Sequence, residues 1–350
     1  MPPYVTPTIL VRKVTMPDYA SISSKSAIGS LTLLQLQGVG NKTADQLSRA
    51  FTNLEAIQDA AQGDGLRMLR RVPRDLRNQE AWDHAYEAAE RILEQAVQHN
   101  TRILTAFDDE YPELLKQIDD RPVVLFVKGH LRSGKRNVAC IGTRTPSEFG
   151  VRETRRMVKK LVEDNWSIVS GLATGIDAVA HRQALESHGH TVAVLANGLD
   201  TIFPTQHRDL ARQILDSGGA LLSEYKFGTA GLQGHLVQRN RIQSGMSAGT
   251  LVMQTDIKGG SMHTARFTLT QRRKLFAPVP VGEDSQHPKC RGILALTSCS
   301  GPELVPQLAE PPGDYVELLQ NQFRRHPPAT PIDSNGDGSD VCQKLREQVE

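Results

Sequence analysis

The spacing of apolar residues divides the chain into three stretches. Between about 25 and 100 they recur at helical intervals. LTLLQLQGVGNKTADQLSRAF sets two such runs on either side of Gly38-Val39-Gly40, and EAWDHAYEAAERILEQAVQ repeats them at Trp82, Ala85, Ala89, Ile92, Leu93 and Ala96. This predicts a small helical domain over 1–100 containing a helix-hairpin-helix-like, or SAM-like, segment. A Gly-x-Gly turn before a helix can offer backbone amides to a phosphate, and Asn41 or Thr43 would cap that helix. The same pattern suits a plain αα-hairpin, because few basic residues flank it in sequence.

Beyond 100 the period shortens to that of strands, in RILTAF and VVLFVKG. From 137 strand-like and helix-like segments alternate: NVACIGTR, then SEFGVRETRRMVKKLVED; WSIVSG, then GIDAVAHRQALESHG; TVAVLANG, then TQHRDLARQILDSG. ALLSEY, QRNRIQSGMS, GTLVMQT, SMHTARFTLTQRR and LFAPVP follow. Continuous runs of β-branched and small apolar residues separated by amphipathic helices are the mark of buried parallel strands with crossover helices. The expected fold over 101–300 is therefore α/β, Rossmann-like and doubly wound, with a mostly parallel sheet. After 300 the text is proline-rich, acidic and weakly patterned, which predicts a mostly flexible tail over 301–350. Within it Asp333-x-Asn335-x-Asp337-Gly338 opens like a calcium loop, yet the twelfth position, where a bidentate Glu belongs, is Lys344. A turn-rich linker is the expected reading there.

Composition narrows the class. The 350 residues are enough for two or three domains, and 39% hydrophobic with 23% charged residues is ordinary for a soluble globular chain. No stretch approaches the roughly 18 apolar residues of a membrane span, and the first twenty residues hold no long apolar leader segment, so a cytoplasmic protein is expected. Cys140, Cys290, Cys299 and Cys342 are scattered without a C-x-x-C pair, against a disulfide framework or a zinc site. The net charge of +2 conceals a partition: residues 130–280 carry 20 Lys and Arg against 11 Asp and Glu. Such an excess suits a polyanionic ligand, and equally a solvated basic face.

In an open parallel α/β sheet ligands bind beyond the carboxyl ends of the strands, so the strand-to-helix junctions are the candidates. The first, Gly142, Thr143 and Arg144 with Ser147 and Gly150 beyond, joins glycine, hydroxyls and a forked cation to a helix start. The second, Ser170-Gly171-Leu172-Ala173-Thr174-Gly175-Ile176-Asp177, lets backbone approach closely and puts an acid in the next first turn, where it could equally serve the helix dipole. Ala196-Asn197-Gly198 is a weaker third. Arg239, Asn240 and Arg241 sit at an expected helix start, and Lys258-Gly259-Gly260-Ser261 again joins a cation to paired glycines and a hydroxyl.

Catalytic patterns find less support. Ser170, Asp177 and His181 lack a G-x-S-x-G elbow, and Asp177 and His181 are one helical turn apart. There is no G-x-x-x-x-G-K-[ST] loop, no G-x-G-x-x-G with an acid about twenty residues on, and no H-E-x-x-H pair. No cofactor or metal is expected.

The series VACIGTR…FG, VSGLATGIDAVAH, VAVLANGLDTIFP, LLSEY, QRNRIQSGMS, KGGSMHTARFTL and LFAPVP resembles, in order, the DNA-processing protein A family (DprA, also called Smf), over about 105 to 282. That resemblance implies a Rossmann-like domain that binds and protects single-stranded DNA, helps load a RecA-type recombinase during natural transformation, forms a homodimer and has no established catalytic activity. It also implies that Arg144 and Lys258 line the DNA pocket. The chain departs from the family pattern at Gln254, which stands where an acid is common after the strand, at LFAPVPVG, and at QRNRIQ in place of a more aliphatic RNRII. No winged-helix domain is evident after 300. These departures leave open whether the role is transformation, mobile-element or defence biology. The alternative is a nucleotide-binding or nucleotide-processing enzyme on a related fold, against which stands the missing Glu of P-G-G-x-G-T-x-x-E; a third reading is a protein-binding adaptor.

Overall fold

The computed structural model describes residues 18, 19 and 21–350. The leader reading of the first twenty residues therefore falls almost wholly outside the described residues. The chain separates into two compact units, Met1–Glu90 and Arg91–Glu350.

The first unit holds α1 (Ala27–Gln35), α2 (Asn41–Ala50), α3 (Leu54–Gln62) and the start of α4 (Gln79–Gln98). Ser26 caps α1 by accepting from Gly29 N at 3.1 Å, and Asn53 caps α3 by accepting from Ala56 N at 2.9 Å. Between α1 and α2, Gly38 takes φ +84°, a left-handed conformation that favours glycine. Val39 turns inward there while Gly38 and Gly40 stay exposed. Gly40 is the N-cap of α2, so neither Asn41 nor Thr43 holds the capping position expected of one of them. Leu33, Leu47, Leu54, Ile57, Leu76 and Trp82 form the buried interior.

In the second unit nine strands form one sheet in the order β1-β2-β6-β5-β4-β3-β7-β8-β9. They are β1 (Arg102–Thr105), β2 (Val124–Gly129), β3 (Asn137–Gly142), β4 (Ser167–Ser170), β5 (Thr191–Val194), β6 (Ala220–Ser223), β7 (Gly249–Gln254), β8 (Lys274–Pro278) and β9 (Thr330–Ile332). β2 pairs antiparallel with both β1 and β6, and every other pairing is parallel. This is the Rossmann-like, mostly parallel sheet that the alternating pattern predicts. Its strands read as unbroken apolar runs because helices cover both faces: every residue of β4, β5, β6 and β7 is buried.

The crossovers are α5 (Glu148–Glu163), α6 (Ile176–Glu186), α7 (Arg208–Asp216), α8 (Gln233–Gly245) and α9 (Ser261–Thr270). From β3 the chain winds through α5, α6 and α7 to β6, then returns through α8 to β7 on the opposite side of β3. Right-handed crossovers in opposite directions put the two helix sets on opposite faces. α10 (Arg291–Ser298), α11 (Gly301–Leu304), α12 (Gly313–Gln322) and α13 (Ser339–Val349) complete the unit.

Residues 301–350 correct the expectation of a flexible tail. β9 extends the sheet by pairing in parallel with β8, Phe276 opposite Thr330 and Pro278 opposite Ile332. Ile332, Val341, Cys342 and Leu345 join the core formed by Met157, Leu161 and Phe276, while Tyr315 and Leu319 pack with α9 and α10 residues. Their buried apolar positions come one to three per short element among prolines and acids, so no sustained periodicity builds up across the tail. The segment 333–337 is the turn from β9 to α13, where Arg156 donates to the carbonyls of Asp333, at 3.0 Å, and Gly336.

Candidate nucleic-acid interface

The strand order reverses between β3 and β7, and the crevice beyond their carboxyl ends is where the topology opens a ligand site. Both expected free cations stand there. Gly142 ends β3 in register with Gln254, which ends β7, and Thr143 N donates to the Gln254 carbonyl at 2.8 Å. Arg144 and Lys258 lie two and four residues beyond those ends. Each is exposed, and neither makes a hydrogen bond or ion pair among the described residues.

Backbone from β4 forms the adjoining wall. Gly175 has φ +79°, and a Cβ on it would lie 2.3 Å from the Thr143 carbonyl oxygen and 2.7 Å from Arg144 Cα. Only glycine lets this loop lie so close against the one carrying Arg144. Ile176 N then donates to the Thr143 carbonyl at 3.1 Å, tying the start of α6 to the same loop.

Gln254 makes contacts at the β7 end that an acid could not. Its Oε1 accepts from Ser147 N at 2.9 Å, and its Nε2 donates to Ser147 Oγ at 2.7 Å and to Cys290 Sγ at 3.2 Å. A carboxylate could reproduce only the accepting half. The amide therefore fixes the N-cap of α5 without adding negative charge to the crevice.

One cation escaped the sequence reading. Lys289 Nζ donates to the carbonyl and hydroxyl of Thr145, beside Arg144. It lies about thirty residues past Lys258 in a segment without a glycine junction, so only tertiary folding reveals its place. At the other rim, Gly260 is the exposed N-cap of α9, and Ser261, 9% exposed, begins that helix.

The remaining predicted residues, apart from the half-buried Asn240, belong to the interior. Ser170 Oγ donates to the Cys140 carbonyl at 2.7 Å, and Gly171 N donates to Asp177 Oδ2 at 3.0 Å. Burial raises the Asp177 pKa, opposed by the charge of Arg239. Arg239 lies at the middle of α8, not at a helix start, and is buried: Nη1 donates to the Gly171 carbonyl at 2.8 Å and to the Val194 carbonyl, across the ends of β4 and β5. Burial lowers its pKa to about 10, with Asp177 opposing and Arg144 adding to the fall, so it stays charged at neutral pH. Asn240 Oδ1 accepts from Arg239 Nε at 3.2 Å.

Arg241 is likewise buried, in a two-pronged pair with Glu224 at 2.7 Å per prong, and its Nε donates to the Asp120 carbonyl at 3.0 Å. Residues two apart on a helix cannot share a face, which is why the two arginines diverge to different partners. Neither presents a free guanidinium to the crevice, a correction to their expected phosphate contacts. His181 has its Nδ1 on Thr191 Oγ1 at 2.7 Å, and burial pushes its pKa down to about 3. Ser170 and His181 thus engage separate partners.

A family model described as DNA recombination-mediator protein A matches residues 102–300. The chain is 36% identical over 274 residues to the Smf protein of Synechocystis, covering 75% of this chain and 66% of that protein. It is 42% identical over 187 residues to Smf of Escherichia coli, covering 53% and 50%. These alignments span about half to two thirds of the curated relatives' length. Among solved structures, DNA processing protein A of Streptococcus pneumoniae superposes with a TM-score of 0.55 at 29% identity, covering 73% of this chain and 92% of that one. The fold is also that of a Helicobacter pylori DNA processing protein A, described for its single-stranded DNA binding mode, with a TM-score of 0.50 at 24% identity over 64% of this chain and 97% of that one.

Proposed function

We propose, from the premise that the chain belongs to the DNA recombination-mediator protein A family, that its α/β unit binds single-stranded DNA in the crevice between β3 and β7. The observation that carries this reading is the pair of exposed, unpartnered cations, Arg144 and Lys258, at the point where the strand order reverses. Phosphates would be held by Arg144 and Lys258, by the half-exposed Gly142–Thr143 and Gly175 backbone, and by the Gly260–Ser261 helix start. Lys289 holds the Thr145 loop and adds positive potential beside them. Backbone contacts of this kind give affinity with little sequence preference.

The wider role we propose, as the family resemblance implies, is protection of single strands and loading of a RecA-type recombinase by a cytoplasmic homodimer without catalytic turnover, in transformation or a related process. Pairing two crevices would lengthen the DNA track and raise effective affinity without new contacts. No helix of the described residues is long and apolar enough to cross a membrane. The test is anisotropy titration of single-stranded and duplex oligonucleotides at two salt concentrations, with Arg144→Glu and Lys258→Glu. Single strands should bind more tightly than duplex, and log affinity should fall with log salt at about −0.7 per phosphate contacted. Equal single-strand affinity in both variants would move the site elsewhere.

A further inference from the structure

The densest uncommitted charge outside the crevice lies in the first unit. RMLRRVPRDLR, residues 67–77, carries five arginines and one acid, Asp75. The acid is engaged, with Asp75 Oδ2 accepting from Gln37 N at 2.8 Å. Two arginines are engaged as well: Arg67 pairs with Asp64 at 2.9 Å, and Arg77 Nε donates to the Ala61 carbonyl at 2.7 Å. Arg70, Arg71 and Arg74 are exposed and make no hydrogen bond or ion pair among the described residues.

The fold delivers these arginines to the hairpin turn. The Asp75–Gln37 bond ties the segment to the end of α1, and a Cβ on Gly38 would lie 3.3 Å from Pro73 Cβ. In sequence few cations flank Gly38-Val39-Gly40; in space the arginine segment supplies them, and Lys42 is exposed in the first turn of α2. Neither the arginine segment nor the α1–α2 turn contains an aromatic residue. Tyr19 and Trp82 are buried, Tyr86 packs edge-on against Tyr19 at 6.0 Å, and the exposed large apolar side chain within the segment is Met68. Single-strand binders add base stacking on exposed rings to their cations. A duplex covers its bases and turns its phosphates outward, which matches cations without rings.

We propose that Arg70, Arg71 and Arg74, set against the α1–α2 turn, form a second polyanion site that takes the phosphate backbone of duplex DNA. The site is independent of the α/β crevice.

The test is anisotropy titration of the full chain with a blunt duplex of about 20 base pairs and, separately, a short single strand; three duplex phosphate contacts predict a salt slope steeper by about 2.7. Replacing all three arginines by glutamine should lower duplex affinity roughly tenfold or more at low salt and flatten that slope, with single-strand affinity unchanged. Replacing them by lysine keeps the charge and should keep most of the duplex binding, which separates lost contact from lost folding. Arg144→Ala with Lys258→Ala should leave duplex affinity unchanged. No duplex binding by the unsubstituted protein, unchanged duplex affinity in the glutamine variant, or loss of single-strand binding in its place would overturn the proposal. Duplex binding that depends on these arginines in a protein that fails to bind single strands would leave it standing and remove the crevice reading instead.

Discussion

The rim and the floor of the crevice use the same side chain for opposite ends. Arg144 at the rim is exposed and unpartnered, whereas Arg239 beneath it and Arg241 farther along the sheet, beyond β6, are buried and spend their donors on strand-end carbonyls and on Glu224. A guanidinium serves a ligand only when the fold has left its donors open. Buried and bidentate, it fixes the backbone that positions the free one, because Arg239 holds the Gly171 carbonyl of the loop that ends at Gly175.

The sharpest way to break this division is Arg241→Ala, which removes the two-pronged pair with Glu224. We expect a loss of about 3–5 kcal/mol of stability, read by denaturant unfolding, with weaker DNA binding only as the folded fraction falls. Unchanged stability would mean that Arg241 is not structural.

A smaller effect comes from pH. His181 titrates at about 3 in the folded chain, held down by burial first and then by His207 and Arg239, against roughly 6.5 when unfolded. Below about 6.5 the unfolded chain binds a proton that the folded chain refuses, so stability falls as pH drops from about 6.5 toward 3. Asp177, whose pKa is raised by burial, acts in the opposite direction. Unfolding midpoints at pH 7 and pH 5 should therefore differ, and the difference should shrink in His181→Gln. An equal difference in that variant would assign the acid sensitivity to other groups.

The smallest stability effect belongs to the rim. Arg144→Ala should change unfolding by no more than about 0.5 kcal/mol, as for other surface sites, although the proposed DNA contact goes with it. A large loss on thermal unfolding would place Arg144 with the floor.

The same division explains what could be read from sequence. Glycine junctions after apolar runs announce the sheet and its carboxyl edge, because a tight turn after a buried strand is a local requirement. Arg144 and Lys258 were legible as rim residues for that reason. Arg239 and Arg241 were not placed correctly, since sequence shows a residue's charge and not the neighbours that consume it. Lys289 beside Thr145, and the arginines beside Gly38, become visible only when distant segments meet. Ile332 and Leu345 stayed hidden because a strand of three residues owes its existence to an edge already built.

That last strand bears on where the molecule can be divided. The match to the family model ends at residue 300, but the sheet continues to Ile332, and Leu345 packs over Gly249, where an added Cβ would lie 2.8 Å from Leu345 Cδ2. A fragment ending at residue 300 would leave β8 with a bare parallel edge and uncover Phe276 and Met157 beside it, a surface prone to self-association. The matched segment and the folding segment thus have different lengths, and the portion beyond the match is what keeps the sheet from becoming a template for its own kind.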